Sequence, residues 1–363
     1  MPPPKTLLTP AFETTPIMIS RPRNNLITDV PGIRVGNVQN LDQRTGVTAL
    51  LFDQPAVASG SFLGGAPALR ESALLEPEMI VSGIDAVVLS GGSTYGLDAT
   101  SGVQAWLREQ AADLPTPEKQ VRVPIVVQAS LFDLVNGGDK DWGRYSPYAE
   151  LGYQAAQAAQ GGQFALGTTG AGTGATTTPL RGGLGSASAI TPSGHTVAAL
   201  MVVNAVGTAT VGDGPHFWSA PFEQGNEFGG LGFPSRLTEN DLRLRMKPNY
   251  VAGTTIGVIA TDAILTKAEA KRLAILAQDG IARGVFPAHL PQDGDAVFGV
   301  STGHAPAPAS VEVWTEILHA ATQVTARAIA RGVYEASPLP GEPFLPTWSE
   351  RFGAVKQGNA DHG

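Results

Sequence analysis

A short apolar run from Ile256 to Ala260 is the feature that most constrains how this chain can fold. A run of this length is typical of a strand that is buried on both faces. Comparable runs predict strands at residues 47–52, 56–62, 84–89, 121–127, 196–203 and 295–300. Apolar spacing and alanine content predict helices at residues 97–112, 148–159, 267–282 and 311–334. A capping box of Thr266 and Glu269 opens the third helix, and Ser310 caps the fourth.

The residues just before this run suggest a catalytic nucleophile. Gly253 is followed by Thr254 and Thr255, at the head of the predicted strand. A threonine hydroxyl becomes a good nucleophile only when a base takes its proton, and a free α-amine with a pKa of about 7.7–8.0 can be that base. Cutting the chain before Thr254 would create such an amine, and Gly253 tolerates the strained backbone that the cut requires. The alternative is an ordinary strand that begins after a glycine turn.

The composition argues against several classes of function. The net charge is −8 and no run of lysine and arginine is interleaved with aromatic residues, so no nucleic-acid partner is expected. Without cysteine, the chain has no thiol catalysis, disulfides or thiolate metal sites. The histidines are scattered without a His-Glu-x-x-His pattern, so no metal is expected. The amino terminus lacks a signal-peptide core and no apolar run reaches about 18 residues, which predicts a soluble, cytoplasmic protein.

Two glycine-rich loops raise the question of a cofactor. Residues 90–98 lie between a predicted strand and a helix, but they lack the Gly-Lys-Ser/Thr ending of a phosphate-binding loop. Residues 167–178 contain a Gly-x-Gly pattern without the acidic residue that a dinucleotide site requires about 20 positions later. A Ser-His-Asp hydrolase of the α/β type needs Gly-x-Ser-x-Gly, which is missing. No cofactor is therefore expected, and these glycines are interpreted as sites of close backbone or substrate approach.

Three segments show no clear periodicity. Residues 1–24, rich in proline and threonine, are predicted to be an extended arm, and the chain from about residue 337 to 363 a flexible tail. Residues 213–250 mix glycine, proline, aromatic and charged residues, which predicts a long surface excursion. A mobile excursion before Gly253 would suit a cleavage site, although an ordinary insertion has the same composition.

Several short motifs follow one another in a recognisable order. They are residues 27–36 (ITDVPGIRVG), 64–67 (GGAP), 89–98 (LSGGSTYGLD), 124–127 (PIVV), 131–134 (LFDL), 170–175 (GAGTGA), Asn204 and residues 252–256 (AGTTI). In this combination, over roughly residues 25–335, the chain resembles the DmpA-like family of self-processing hydrolases. That family includes D-aminopeptidases, β-peptidyl aminopeptidases and nylon oligomer hydrolases.

The resemblance implies a fold and a processing event. The family fold is an α/β fold, a four-layer α-β-β-α sandwich whose site is similar to that of N-terminal nucleophile hydrolases. Family members are cut before the residue that matches Thr254, which here would give an α fragment ending at Gly253 and a β fragment of residues 254–363. The ordered part of the α fragment would be residues 25–253. The two fragments stay together, and the family commonly forms homo-oligomers, often tetramers of αβ units.

The resemblance also implies catalytic roles. Thr254 would attack an amide carbonyl while its freed amine takes and returns the proton. Asn204 matches an asparagine near the nucleophile, and its side-chain NH₂ would donate to the developing oxyanion. Asp293 and Asp295 resemble an acidic pair, one member of which would hold the ammonium or hydroxyl of Thr254. The alternative for that pair is a hydrated turn.

The expected substrate contacts are Tyr95, Phe132 and Arg181. Phe132 aligns with a tyrosine of the nylon oligomer hydrolases, and Arg181 is a loose match to their lysine. Arginine does not replace lysine in proton transfer, so the support from this position differs from the family pattern. The aminopeptidases carry a glutamate near residues 128–133, which binds the substrate amine; here Asp133 could replace it only if its side chain points inward.

The sequence thus leads to a main interpretation and several alternatives. The main one is a self-processing threonine amidase that acts on oligoamides or short peptides, in the manner of the nylon oligomer hydrolases. The second is an aminopeptidase that releases N-terminal residues, including D- or β-amino acids. The third, from another class, is an uncleaved protein of this fold that binds small molecules. An acyltransferase of the ornithine acetyltransferase type is a further rival, but its usual cleavage sequence differs from residues 252–255.

Overall fold

The computed structural model describes residues 18–112, 123–247, 252–341 and 345–358, so most of the predicted arm, residues 1–17, lies outside it. The described residues form nine strands: β1 (Ile33–Asn40), β2 (Thr45–Phe62), β3 (Ala68–Arg70), β4 (Ile84–Ser90), β5 (Val126–Ser130), β6 (Gly183–Ile190), β7 (Thr196–Asn204), β8 (Thr254–Ala263) and β9 (Ala296–Ala305). The α-helices of the same residues are α1 (Ser93–Gly96), α2 (Ala99–Ala112), α3 (Tyr148–Gln157), α4 (Lys267–Gly284), α5 (Val311–Tyr334) and α6 (Trp348–Gly358). Each of these helices is too short or too polar to span a bilayer.

Strand β2 belongs to two sheets. Its first half pairs antiparallel with β1 and β4, and its second half pairs antiparallel with β9. Between Leu51 and Ala56 its register against β4 shifts, an irregularity of the kind that bends a strand and increases its twist. The first sheet therefore has the order β3-β5-β4-β2-β1, and the second has the order β2-β9-β8-β7-β6.

Three apolar cores hold the sheets and helices in four layers. Val103 of α2 belongs to a core that α2 and α3 form on the outer face of the first sheet. Leu50 and Val258 lie in the core between the two sheets. Ile259 and Val324 lie in the core where α4 and α5 cover the second sheet. Burial of each such side chain contributes about 1.5–3 kcal/mol. The predicted four-layer α-β-β-α sandwich is confirmed.

Strand β8 lies in the middle of the second sheet and is buried throughout. It pairs antiparallel with β7 on one side and parallel with β9 on the other. Ile256 and Val258 point into the core between the sheets, whereas Ile259 points toward α4 and α5. The apolar run therefore has no polar alternation because both faces of the strand are covered.

Several boundaries differ from the predictions. The strands predicted at 47–52 and 56–62 are one continuous strand, β2, and the strand predicted at 121–127 begins as β5 at Val126. Strand β6 was missed because it is rich in glycine, serine and alanine, which are not typical strand residues. Helix α5 packs so closely on β6 that a Cβ atom at Gly185 would lie 1.8 Å from the carbonyl oxygen of Ala328. Both predicted helix caps, at Thr266 and Ser310, are present.

The prediction of a flexible tail from about residue 337 is wrong for residues 345–358. Helix α6 occupies most of this segment, and Trp348 at its start is 1% exposed. The Trp348 ring stacks on Phe217 at a centroid distance of 6.0 Å, and its Nε1 donates to the carbonyl of Pro215 at 2.9 Å. Pro215 and Phe217 belong to the irregular excursion before β8, so a buried tryptophan ties the carboxyl-terminal segment to that excursion.

Candidate active site

Thr254 is the first residue of β8, and its side chain is buried. In the register of the second sheet it lies directly opposite Asn204, the last residue of β7. Its Oγ1 contacts the carbonyl oxygen of Gly253, the residue before it. The hydroxyl is therefore in contact with the peptide group that joins it to the preceding residue.

The peptide group of Gly253 is held from both sides. The backbone N–H of Gly294 donates to the Gly253 carbonyl at 3.0 Å, and the N–H of Gly253 donates to the carbonyl of Gln292 at 3.3 Å. A Cβ at position 253 would lie 2.3 Å from the Val206 nitrogen and 2.6 Å from Oδ1 of Asp293. Glycine is therefore required here because the backbone and a carboxylate occupy the space of a side chain.

The side chain of Asn204 is fixed by four hydrogen bonds, one of them from Oγ1 of Thr176 to its Oδ1 at 3.4 Å. Its Oδ1 accepts from the backbone N–H of Thr176 at 3.0 Å and from Nζ of Lys247 at 3.1 Å. Its Nδ2 donates to the carbonyl of Phe132 at 2.9 Å. Because an N–H can only donate and a carbonyl can only accept, these partners define which end of the amide is the NH₂. Phe132 uses one of the two amide protons, and the second can serve another acceptor.

Asp293 and Asp295 bind different groups around the nucleophile. Asp293 Oδ1 accepts from the N–H of Val206 at 3.1 Å, so this carboxylate lies beside Gly253. Asp295 Oδ1 accepts from the N–H of Thr255 at 2.7 Å. Within the described residues, neither carboxylate accepts a hydrogen bond from the Thr254 hydroxyl. Asp295 thus holds the backbone just after Thr254, whereas Asp293 holds the backbone of Val206 beside Gly253.

The electrostatics of the pair differ from those of exposed carboxylates. Burial and the neighbouring Asp295 raise the pKa of Asp293 to about 6, against the lowering effect of its backbone hydrogen bonds and of Lys247. Oδ2 of Asp295 accepts from both the backbone N–H and Nδ1 of His289, each at 2.9 Å. These two bonds hold His289 in the left-handed backbone conformation, with φ of 58°. Sequence reasoning missed His289, because a lone histidine on an irregular segment carries no pattern.

Lys247 is the second residue that sequence reasoning missed. Its amine is buried and donates to the backbone carbonyl of Asn204 at 2.8 Å as well as to Oδ1. Burial lowers the pKa of Lys247 to about 7, although the carboxylates of Asp293 and Asp133 act in the opposite direction. Lys247 belongs to the segment 213–250, which has no periodicity, and no sequence signal separated it from surface lysines.

A cavity of about 150 Å³ lies beside Asn204. Phe132, Thr176 and Lys247, which all hydrogen-bond to Asn204, also line this cavity. Asn204 also pairs with Thr254 across β7 and β8. The residues that line the cavity and the candidate nucleophile therefore meet at Asn204, although Thr254 itself does not line the cavity.

The structure separates the three expected substrate contacts. Phe132 lines the cavity beside Asn204, whereas Tyr95 lines another cavity, of about 530 Å³, where its ring contacts that of Trp142. Arg181 is buried, and its Nη2 donates to the carbonyl of Thr173 at 2.8 Å instead of facing the cavity. Tyr95 and Arg181 therefore do not line one cavity with Phe132, because one side chain faces solvent and the other supports a loop; substrate contact by these residues stays a prediction.

Asp133 does point inward. Its carboxylate is buried, lines the cavity beside Asn204, and accepts from Oγ1 of Thr45 at 2.6 Å and from the N–H of Gly92 at 2.8 Å. Burial raises the pKa of Asp133, and the positive charge of Lys140 opposes this effect. Within the described residues, no group of three or more histidine, cysteine, aspartate or glutamate side chains is arranged to hold a metal ion.

The titration of Lys247 predicts how the free energy of unfolding depends on pH. The folded chain loses the Lys247 proton near pH 7, whereas the unfolded chain keeps it to about pH 10.5. Between these values the unfolded state binds more protons, so the free energy of unfolding should rise with pH, by up to about 1.4 kcal/mol per unit. Urea unfolding of the Thr254→Ala chain, with and without Lys247→Met, measures this slope. Equal slopes for the two chains would contradict a buried, titrating Lys247.

Comparisons with known proteins agree with this architecture. A model of peptidase family S58 matches residues 25–343. An uncharacterized aminopeptidase of Mycobacterium tuberculosis (strain ATCC 25618 / H37Rv) is 40% identical over 350 residues, covering 90% of this chain and 98% of the relative. A 6-aminohexanoate-oligomer endohydrolase of Paenarthrobacter ureafaciens is 27% identical over 310 residues, covering 82% of this chain and 80% of that protein.

Solved structures share the fold at lower identity. A Burkholderia sp. beta-aminopeptidase superposes with a TM-score of 0.68 at 22% identity, covering 94% of this chain and 96% of that chain. The L-aminopeptidase D-Ala-esterase/amidase of Ochrobactrum anthropi, described as a variant of the Ntn hydrolase fold, gives a TM-score of 0.69 at 22% identity, with 95% and 97% coverage. The resemblance to DmpA-like hydrolases is thus confirmed: this chain belongs to peptidase family S58 and is a hydrolase of amide bonds.

Proposed function

We propose that the chain cuts itself between Gly253 and Thr254, and that the released Thr254 then hydrolyses amide bonds in oligoamides or short peptides. The observation that carries this proposal is the double contact at the Gly253 carbonyl. Oγ1 of Thr254 lies against this carbonyl, and the N–H of Gly294 donates to it at 3.0 Å. A nucleophile and a stabilising donor therefore meet at a single peptide bond.

The cut would proceed by an N-to-O acyl shift. Oγ1 of Thr254 attacks the Gly253 carbonyl carbon, the C–N bond breaks, and the hydroxyl proton passes to the nitrogen that becomes the Thr254 amine. The N–H of Gly294 stabilises the negative charge that develops on the Gly253 oxygen. Water then hydrolyses the ester, which leaves a Gly253 carboxylate and a free Thr254 amino terminus. Asp293 lies beside Gly253 and would face the new ammonium.

The fragments would remain one folded unit after the cut. Strand β8 would begin the β fragment, yet it is hydrogen-bonded along its length to β7 of the α fragment. Strand β9, also of the β fragment, pairs with β2 of the α fragment. Separating the fragments would therefore expose two central strand pairings and the cores on both faces. We further propose that units of this kind assemble into a homo-oligomer.

Turnover would use the same groups on a substrate carbonyl. The Thr254 amine takes the hydroxyl proton as the oxygen attacks, and gives it to the leaving amine, which leaves an ester on Oγ1. Water then hydrolyses this ester, with the amine again taking and returning a proton, and releases the acid with the Thr254 hydroxyl restored. The second amide proton of Asn204 would donate to the substrate oxyanion, while Phe132 and Lys247 hold the amide in place. Asp295 would keep the β8 backbone in position through the N–H of Thr255.

One observation favours a second candidate, an aminopeptidase. The inward carboxylate of Asp133 could bind the free ammonium of a substrate. Substrates with acetylated amines distinguish the two, because an endo-acting amidase should cut them and an aminopeptidase should not.

The proposed function is tested by sequencing the purified protein. We expect two bands on a denaturing gel whose masses add to 37.6 kDa, with Thr254-Thr255-Ile256 at the amino terminus of the smaller fragment. Hydrolysis of a short oligoamide or peptide should accompany the cut. A single intact band together with full hydrolytic activity would overturn the mechanism, and an intact band without activity would favour a small-molecule-binding protein.

A further inference from the structure

The carboxyl-terminal segment, residues 345–358, reaches the candidate active site from outside the region that the S58 family model matches. That match ends at residue 343. Leu345, just beyond it, lines the 150 Å³ cavity beside Asn204. A segment that follows the family core thus supplies part of the wall of a cavity whose other lining residues hold Asn204, the strand partner of Thr254.

The segment is anchored immediately after Leu345. The carbonyl of Pro346 accepts from the N–H of Arg181 at 2.9 Å, and Arg181 in turn forms a β-bridge with Thr176. Thr347 then opens α6: Oγ1 of Thr347 accepts from the N–H of Glu350 at 3.1 Å, and a Glu350 oxygen accepts from the N–H of Thr347 at 2.8 Å. These bonds fix where Leu345 lies.

A buried tryptophan, the residue that directly follows Thr347, is a second anchor of the segment. The ring of Trp348 packs against Phe217, Tyr334 and Phe352. Burial of an aromatic ring of this size stabilises a segment far more than a single surface contact does. Leu345 therefore belongs to the folded body, and its side chain can act as a fixed boundary of the cavity.

The cavity wall that a ligand would meet is apolar. Phe132, Val135, Pro179 and Leu345 contribute carbon surface. Asp133 and Lys247 also line the cavity, but their charged groups already form hydrogen bonds to other groups of the protein. A cavity of about this volume with apolar walls accommodates a benzene-sized group, about six carbon atoms.

From these contacts we infer that the cavity binds the apolar part of the substrate's acyl group, and that Leu345 sets the largest group it admits. The acyl group is the part of the substrate on the carbonyl side of the cleaved amide, which would be transferred to Oγ1 of Thr254. The favoured substrates are amides whose acyl part carries an alkyl or aryl group of up to about six carbons. This inference rests on the proposed function, since it assumes that Thr254 is the attacking group.

Steady-state kinetics on the full processed chain test the role of Leu345. The substrates are p-nitroanilides of alanine, leucine, phenylalanine and naphthylalanine, each with a free amine and with an acetylated amine. Leu345→Ala should raise the ratio of kcat/KM for naphthylalanine over alanine by about 10-fold or more, because each added apolar group in a pocket of this kind changes selectivity by about 10–200-fold. Leu345→Phe should lower the ratio of leucine over alanine by a similar factor.

Leu237→Ala is the matched control. Leu237 is partly exposed and lies outside the cavity, so the same truncation there should leave every ratio unchanged. If Leu345→Ala folds poorly, Leu345→Phe still tests the role of Leu345, because this variant adds side-chain volume instead of leaving a cavity.

The outcomes separate this inference from the proposed function. If the Leu345 variants cut themselves and turn over, but their substrate ratios equal those of the unchanged chain, the role of Leu345 is overturned and the nucleophile assignment stands. If the unchanged chain is never cut and is inactive on all eight anilides, both are overturned. The inference is established if both variants still cut themselves, Leu345→Ala raises the kcat/KM ratio of naphthylalanine over alanine, and Leu345→Phe lowers the kcat/KM ratio of leucine over alanine.

Discussion

Thr254→Ala is expected to give one uncut polypeptide without measurable amide hydrolysis. The hydroxyl of Thr254 would attack the Gly253 carbonyl first and the substrate carbonyl afterwards, so its removal abolishes both steps. The amine that serves as base would also remain locked in a peptide bond. Loss of a nucleophile of this kind lowers kcat on the order of 10⁶-fold. A denaturing gel and a hydrolysis assay on the same preparation measure both effects.

Two further variants show whether the loss of cleavage and activity is specific to the hydroxyl of Thr254. Thr254→Ser keeps a hydroxyl at the same position and should still cut itself. Its lost methyl group lies close to Gly294, so the variant also measures what packing at that point contributes to the rate. Thr255→Val removes the adjacent hydroxyl, which has no hydrogen-bond partner within the described residues, and should be processed normally. Two fragments from Thr254→Ala, or turnover by that chain, would show that another group attacks.

Asn204→Ala should have the second largest effect. The truncation removes the amide that would donate to the oxyanion, and such a donor contributes about 10²–10³-fold to kcat. It also leaves the buried N–H of Thr176 without its side-chain partner, which costs about 1–3 kcal/mol of stability, and it removes one of the two hydrogen bonds of the Lys247 amine. We therefore expect slower self-cleavage, a lower kcat in the processed enzyme, and a lower urea midpoint.

A second buried asparagine separates catalysis from stability. The side chain of Asn25 has the same pattern of partners: its Oδ1 accepts from the N–H of Ser188 and from Arg327, and its Nδ2 donates to Glu227. Asn25→Ala should lower the urea midpoint by a similar amount while kcat stays within a few-fold. If both variants lose kcat equally, the effect of Asn204 is structural and its role as an oxyanion donor is wrong.

The local features of the fold were accessible from the sequence. The run at Ile256 predicts a strand buried on both faces, and the capping residues Thr266 and Ser310 mark two helix starts, because these signals depend on residues close in the chain. Strand β6 was not predictable in the same way. The strand needs glycine because α5 packs so closely against it that a side chain would not fit. A contact between segments that are distant in the chain leaves no local sequence pattern.

The candidate site shows the same division. Its strand-end residues, Asn204 and Thr254, could be selected from their motifs, and the register of β7 with β8 then brings them together. Lys247 and His289 could not be selected, since irregular segments carry them and only the tertiary fold buries them against Asn204 and Asp295. Tyr95 also comes from a motif, but the structure places its ring at a separate and more exposed cavity than that of Phe132.

The shared strand β2 has a consequence for how substrate can reach Thr254. The two sheets are continuous through one backbone segment, and the pairings of β2 with β4 and β9 together with the apolar core between the sheets hold the two layers against each other. The pairing of β7 with β8 sets the position of Asn204 relative to Thr254 within the second layer. The framework around Thr254 is therefore established when the sheets form, and a substrate would meet groups that are already in place.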